Sequence, residues 1–189
     1  MDLDRLAGFY GSGADQLHLA FNFPSVFAPL ESDALRNVVE RTEELLPERA
    51  WPAWTLSNHD IVRFPTRMCA NDERKARAAL LALLTQRGTP VLYQGDELAM
   101  PQVEVSPVAA QRRDPDSFLS RCRELIARRR SSHDLLAGTY QTVPSPPGVW
   151  AYRRGEGTVV AVNLSKEPAE IDIDGKRRLA PWEGVLLDV

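Results

Sequence analysis

Residues 58–60 read Asn-His-Asp and close the apolar stretch Trp54-Thr55-Leu56. A carboxylate in such a place supplies fixed negative charge, and an imidazole supplies directional hydrogen bonding. Two other apolar runs end in polar groups. LHLAF (residues 17–21) leads to Asn22, and PVLY (residues 90–93) leads to Gln94, Asp96 and Glu97. In a parallel α/β sheet, functional side chains gather where strands finish at their carboxyl edge, so three such ends would deliver polar groups to one rim. By position alone Asp60 also reads as a helix or turn cap and His59 as a satisfied hydrogen bonder at a loop entry, because short motifs match by chance. The neighbours Asp96 and Glu97 are not expected to work as a catalytic pair, since adjacent residues on a strand point to opposite faces.

The elements that must position these residues alternate. Leu17–Phe23 reads as a strand, with turn-rich GSGAD before it. SDALRNVVERTEELL (residues 32–46) is a helix whose Leu35, Val38, Val39, Thr42, Leu45 and Leu46 share a face, with Ser32 or Asp33 as its cap and Pro47 past its end. Ala53–Asn58 is a second strand. NDERKARAALLALLTQRG is a second helix, capped by Asn71, with Asp72 and Glu73 in its first turn and Gly88 as its stop. Thr89–Gly95 is a third strand, and DPDSFLSRCRELIARRR a third helix with Asp114 as N-cap and Pro115 at the first position. Three strand–helix units in series predict a parallel sheet.

The last third changes character. GTYQTV, GVWAYRRG, GTVVAVNLS, AEIDID and EGVLLDV are short strands split by PSPPG, GEG, SKEP and DG, which predicts a small antiparallel all-β module. The boundary falls near residues 133–136, dividing 1–133 from 134–189. The expected fold class is therefore α/β followed by all-β.

A net charge of −3 gives no electrostatic case for nucleic acid or an acidic membrane surface. The arginines of RCRELIARRR fit the last turn of a helix, where cations suit the dipole. Cys69 and Cys122 stand far apart in no metal-like spacing, which fits free thiols in a reducing compartment. No signal-peptide pattern and no run long enough to span a membrane is seen, so the chain reads as soluble and cytoplasmic. Neither a metal-ligand run nor a cofactor motif is present in the sequence.

The blocks AFNF, WTLSNHDIVR, QRGTPVLYQGDELAM and VAAQRRDPDSFLSRCRELIARRR, in this order, resemble the C-terminal half of an α-glucosidase of the α-amylase superfamily of glycoside hydrolases. The similarity extends over nearly the whole chain. It implies a partial (β/α)8 barrel, strands six to eight with their helices, followed by a small antiparallel β-sandwich. It also implies a retaining mechanism on α-linked glucosides or oligosaccharides, in which one carboxylate attacks the anomeric carbon and a second protonates the leaving oxygen. A third acidic residue holds sugar hydroxyls and favours the positively charged transition state. Asp60 matches this third catalytic residue, and His59 the histidine that hydrogen-bonds the same sugar. Arg63 falls at a basic position near the pocket, where a surface arginine is an equal reading.

The chain departs from the family's pattern in two places. No Asp or Glu sits in a motif matching the nucleophile or the general acid, and MDLDRLAGFYG resembles the segment just after the strand that bears the acid. Further on, PQVEVSP joins Met100 to VAAQRR where the family carries a longer wall, which reads as a deletion. The expectation is a catalytically incomplete fragment with open edges at Leu17–Phe23 and Val91–Tyr93 and exposed apolar surface beside them. The alternative is a non-catalytic interaction or sugar-binding subunit, for which a protein partner completing the barrel is expected.

Overall fold

The computed structural model describes residues 3–12, 15–103 and 108–189. Its helices are α1 (Leu3–Ala7), α2 (Phe23–Phe27), α3 (Ser32–Leu45), α4 (Phe64–Arg67), α5 (Glu73–Thr85), α6 (Val108–Gln111), α7 (Phe118–Ser131) and α8 (His133–Ala137). Its strands are β1 (Ala53–Thr55), β2 (Thr89–Val91), β3 (Tyr140–Val143), β4 (Val149–Arg154), β5 (Thr158–Asn163), β6 (Ala169–Asp172), β7 (Lys176–Leu179) and β8 (Gly184–Asp188).

β1 and β2 run parallel, with Ala53 opposite Thr89 and Thr55 opposite Val91. The expected strand at 17–23 shrinks to a single parallel bridge, Phe21 to Ala53. Asn22 N donates to the Ala53 carbonyl at 2.8 Å, and Phe23 already belongs to α2, with Pro24 in its first turn. The apolar alternation of Leu17, Leu19 and Phe21 faces outward, each of them roughly half exposed. Alternation marks one face of a strand, but without a neighbour across the sheet it does not fix an extended ladder. β1 and β2 likewise stop at Thr55 and Val91, short of the expected Asn58 and Gly95.

Three predicted caps move. Glu31 occupies the N-cap position of α3, without a side-chain bond, in place of Ser32 or Asp33. Asp72 caps α5, accepting from Arg74 N at 2.9 Å, while Asn71 takes φ 61° one residue earlier. Ser117 caps α7, accepting from Ser120 N at 3.2 Å, and Asp114 instead closes a turn by accepting from Asp116 N at 2.9 Å. In α5 and α7 a nearby polar side chain takes the orphan amides that the expected cap would have held.

α5 is buried on nearly every side, from Ala76 and Ala78 through Thr85. A helix apolar all round needs neighbours all round, and α5 has them: α7, α4, β5 and β8. One continuous core joins Trp54, Leu80, Leu83, Phe118 and Leu125 to Trp150, Tyr152, Val160 and Val162. The β-rich region forms an antiparallel sheet in the order β3-β4-β5-β8 and a separate β6-β7 hairpin. The two faces of β4 and β5 are both used. Trp150, Tyr152, Val160 and Val162 point at the helices, while Val149, Ala151 and Ala161 pack against Ile171 and Leu179 of the hairpin.

Candidate functional site

β1 delivers the chain to a loop whose entry is buried and whose tip is exposed. Leu56 and Ser57 are buried, and the His59 and Asp60 side chains are 80% and 75% exposed. Asp60 N donates to Asn58 Oδ1 at 2.9 Å, an Asx turn that sets the tip. His59 Nε2 lies 3.5 Å from Asp60 Oδ1, so imidazole and carboxylate present one joint polar surface.

The base of the loop is tied more tightly. Ser57 Oγ accepts from Phe64 N at 2.9 Å, joining the two ends of the excursion. Thr55 Oγ1 donates to the Ser57 carbonyl at 2.7 Å. Arg67, which sequence reasoning passed over, donates through Nη1 to the Val26 carbonyl and through Nη2 to the Leu56 carbonyl at 2.5 Å. Its burial lowers its pKa.

Arg63 links this loop to the one after β2. Its Nε donates to the Gln94 carbonyl at 3.0 Å, its guanidinium carbon lies 5.7 Å from the Tyr93 ring centroid, and its backbone N donates to Gln102 Oε1 at 3.0 Å. The structure thus brings Asn58, His59 and Asp60 together on one loop tip, and Arg63 ties that loop to residues 93 and 94. Asn22, expected on the same rim, is fully buried instead and donates through Nδ2 to Thr42 Oγ1 of α3 at 2.8 Å. A polar residue after an apolar run does not distinguish a rim from a buried partner.

Asp96 and Glu97 lie on a 3-10 turn, Asp96–Leu98, and not on a strand. Strand alternation is therefore not what separates them. Each folds back on its own loop: Asp96 Oδ2 accepts from Tyr93 N at 3.0 Å and Glu97 Oε2 from Gly95 N at 2.9 Å. Asp96 is fully buried, and burial pushes its carboxyl from 3.8 up to about 6. The sequence places Asp96 among the polar groups of the rim; its burial comes with the packing of its turn against α7, which no local pattern reports.

The thiols are buried and unpaired, with desolvation pushing Cys69 up to about 12 and Cys122 up to about 11. Among the described residues no cluster of His, Cys, Asp and Glu could hold a metal ion, and no helix is long and apolar enough to cross a membrane. The link 101–107, read as a deletion, lies partly outside the described residues.

Residues 15–184 match the family model described as alpha amylase, catalytic domain. A probable alpha-glucosidase of Rhizobium meliloti is 37% identical over 106 residues, covering 53% of this chain and 19% of that protein. An intracellular maltogenic amylase of Bacillus subtilis is 28% identical over 143 residues, covering 65% of this chain and 23% of that protein. The chain thus spans about a fifth of the length of these curated relatives. Among solved structures, the alpha-glucosyl transfer enzyme XgtA superposes with a TM-score of 0.87 at 24% identity, covering 99% of this chain and 49% of that one. An alpha-amylase from H. orenii superposes at 0.82 with 18% identity, covering 100% of this chain and 51% of that one. At these identities the superpositions speak for the fold.

Proposed function

Because this chain belongs to the α-amylase catalytic-domain family and has the character of the C-terminal part of an α-glucosidase-type member, we propose that it carries one side of an α-glucoside site of a retaining glycoside hydrolase. In this reading residues 1–133 are barrel strands six to eight with their helices, and residues 134–189 are the C-terminal sandwich. The observation that carries it is the exposed pair His59 and Asp60 at the carboxyl end of a parallel strand, tied through Arg63 to the loop after the next one. Asp60 supplies the fixed negative charge that favours an oxocarbenium-like transition state, and His59 donates to hydroxyls that gain acidity as charge develops. Arg63 positions the rim and adds a cation at its base.

A displacement at the anomeric carbon needs an attacking carboxylate and a proton donor about 5 Å apart across the sugar. Asp60 is neither in this reading, so the chain by itself binds without turning over. The test has two readouts. Hydrolysis of a chromogenic α-glucoside by the chain is expected to be absent, and turnover abolished by Asp60→Ala would overturn that part. Amide shifts of residues 58–63 on adding maltose or isomaltose are expected, and are expected to vanish in Asp60→Ala. No shift at high millimolar sugar would remove the site assignment.

A second reading, a non-catalytic subunit with a protein partner, has its own observation. Leu17, Leu19 and Phe21 are 53%, 48% and 48% exposed along one segment. A second polypeptide adding a strand there would cover them.

A further inference from the structure

The loop that carries Asn58, His59 and Asp60 leaves β1 after Thr55 and ends at Phe64, the first residue of α4. One side chain holds both of its ends. Arg67, the last residue of α4, donates through Nη2 to the Leu56 carbonyl at 2.5 Å and through Nε to the Val62 carbonyl at 3.2 Å. Through Nη1 it donates to the Val26 carbonyl of α2, the helix that follows the bridge from Phe21 to β1. Three nitrogens of one guanidinium thus meet three backbone carbonyls: one before the tip, one after it and one on the adjoining helix. α4 is a fixed platform for this reach, since Phe64 within it and Cys69 just beyond it are fully buried.

We propose that Arg67 is the positioning residue of this loop: it clamps Leu56 to Val62 and both to α2, and so sets where the His59–Asp60 tip stands. The bonds within the tip, Asp60 N to Asn58 Oδ1 and the His59–Asp60 pair, fix its shape and not its place. The Ser57–Phe64 bond closes the loop on itself. Arg63, the N-cap of α4, fastens the loop to the one after β2, and Arg67 fastens it to α2 on the other side of β1. The role needs a fork. A guanidinium points its donors in separate directions within one plane, whereas an ammonium offers its three from one point. Arg67 also lines an open cleft of about 620 Å³ beside Phe27, Met68 and Trp182, so a small cation from solvent can reach the place of its head group.

The effect on sugar rests on the proposed α-glucoside site; the clamp does not, and the two are measured separately. Amide exchange is followed in the isotope-labelled chain, in Arg67→Lys and in Arg67→Ala. Asp60 and Phe64, whose amides are bonded across the tip and the base, are expected to exchange about tenfold faster or more in both variants, and by a larger factor than Tyr152 and Val160 of the sheet. Guanidinium, far below the concentrations that unfold proteins, is expected to slow both amides again in Arg67→Ala, and ammonium is not. Loop amides unchanged in Arg67→Lys, or a rise no larger than in the sheet, would overturn the inference, and so would equal rescue by ammonium. If Arg67→Ala fails to fold, Arg67→Lys decides. Maltose is then titrated, and the shifts at residues 58–63 are expected to need about tenfold more sugar in Arg67→Lys. Loop amides that respond to Arg67→Lys, in a chain that shows no sugar shifts at all, would keep the clamp and remove the sugar site.

Discussion

The Arg154 guanidinium of β4 donates to the carbonyl of Thr85, the last residue of α5, at 2.5 Å. The same group reaches the carbonyls of Thr139, Asp134, Leu135 and Gly138, closing the end of α8 as well. Arg129 does the parallel work from α7, donating to Leu84, Gln86 and Gly88 carbonyls. Two buried cations thus satisfy carbonyls in and just past the last turns of α5 and α8, where the helical layer meets the sheet, a use that the helix dipole favours. Burial and the nearby Arg129 push Arg154 down to about 10, so it stays charged at neutral pH. Arg154→Met is expected to destabilise the chain by about 3 kcal/mol, and Arg154→Lys by less, because an ammonium reaches fewer of these carbonyls. Urea unfolding of both variants checks the order.

Asp96 gives a pH dependence with a definite sign. Its folded pKa, about 6, lies above the ordinary 3.8 of the unfolded chain. Between these values the folded protein holds a proton that the unfolded chain has released, so stability falls as pH rises through that window and levels off above it. The expected change from this group is about 3 kcal/mol over the whole window. Asp96→Asn should flatten that stretch of the curve. Denaturation midpoints taken at half-unit intervals from pH 4 to 7 provide the check, and an unchanged slope in the variant counts against the assignment.

Gly88 sits at the junction of α5 and β2 with φ +124°, and a Cβ there would lie 2.4 Å from the Pro52 carbonyl oxygen and 2.7 Å from Trp54 Nε1. Trp54 Nε1 donates to the Arg87 carbonyl at 2.5 Å, which fixes the ring against this turn. Gly88→Ala therefore meets backbone strain and a clash with backbone at once. A loss of about 2 kcal/mol or more is expected, read as a fall in Tm of about 5 °C or more. A neutral outcome would mean that the turn can shift away from Pro52.

The α3 and α5 helices were legible because their apolar spacing persists over several turns. The strands were legible as places but not as lengths. Leu17–Phe23 has the alternation of a strand, yet only Phe21 finds a partner, since pairing depends on a neighbour that the local sequence does not describe. The strand at Lys176–Leu179 was missed because Lys-Arg-Arg carries no apolar alternation; the hairpin is set by Asp174 and Gly175, both at positive φ. At the site, His59 and Asp60 were legible as polar residues after an apolar run. Asp96 was legible in the same way but its burial was not, and Ser57, which joins the two ends of the loop by accepting from Phe64 N, was not legible at all, because both depend on packing between segments far apart in the chain.

The Leu17–Phe21 segment supplies the last prediction. Its apolar side chains are exposed, while on the inner side Asn22 N and the Ala20 carbonyl bond to Ala53. An extended, apolar, half-paired segment is a template for association. The chain is expected to self-associate with rising concentration, and Leu19→Lys to suppress this. Because Leu19 is 48% exposed, the same substitution should leave unfolding within about 0.5 kcal/mol of the unsubstituted chain. Sedimentation velocity across a hundredfold range of concentration separates the cases. Association that Leu19→Lys leaves intact would place the sticky surface elsewhere, whereas association lost without a change in stability would mark this edge as the surface that a strand-adding partner covers.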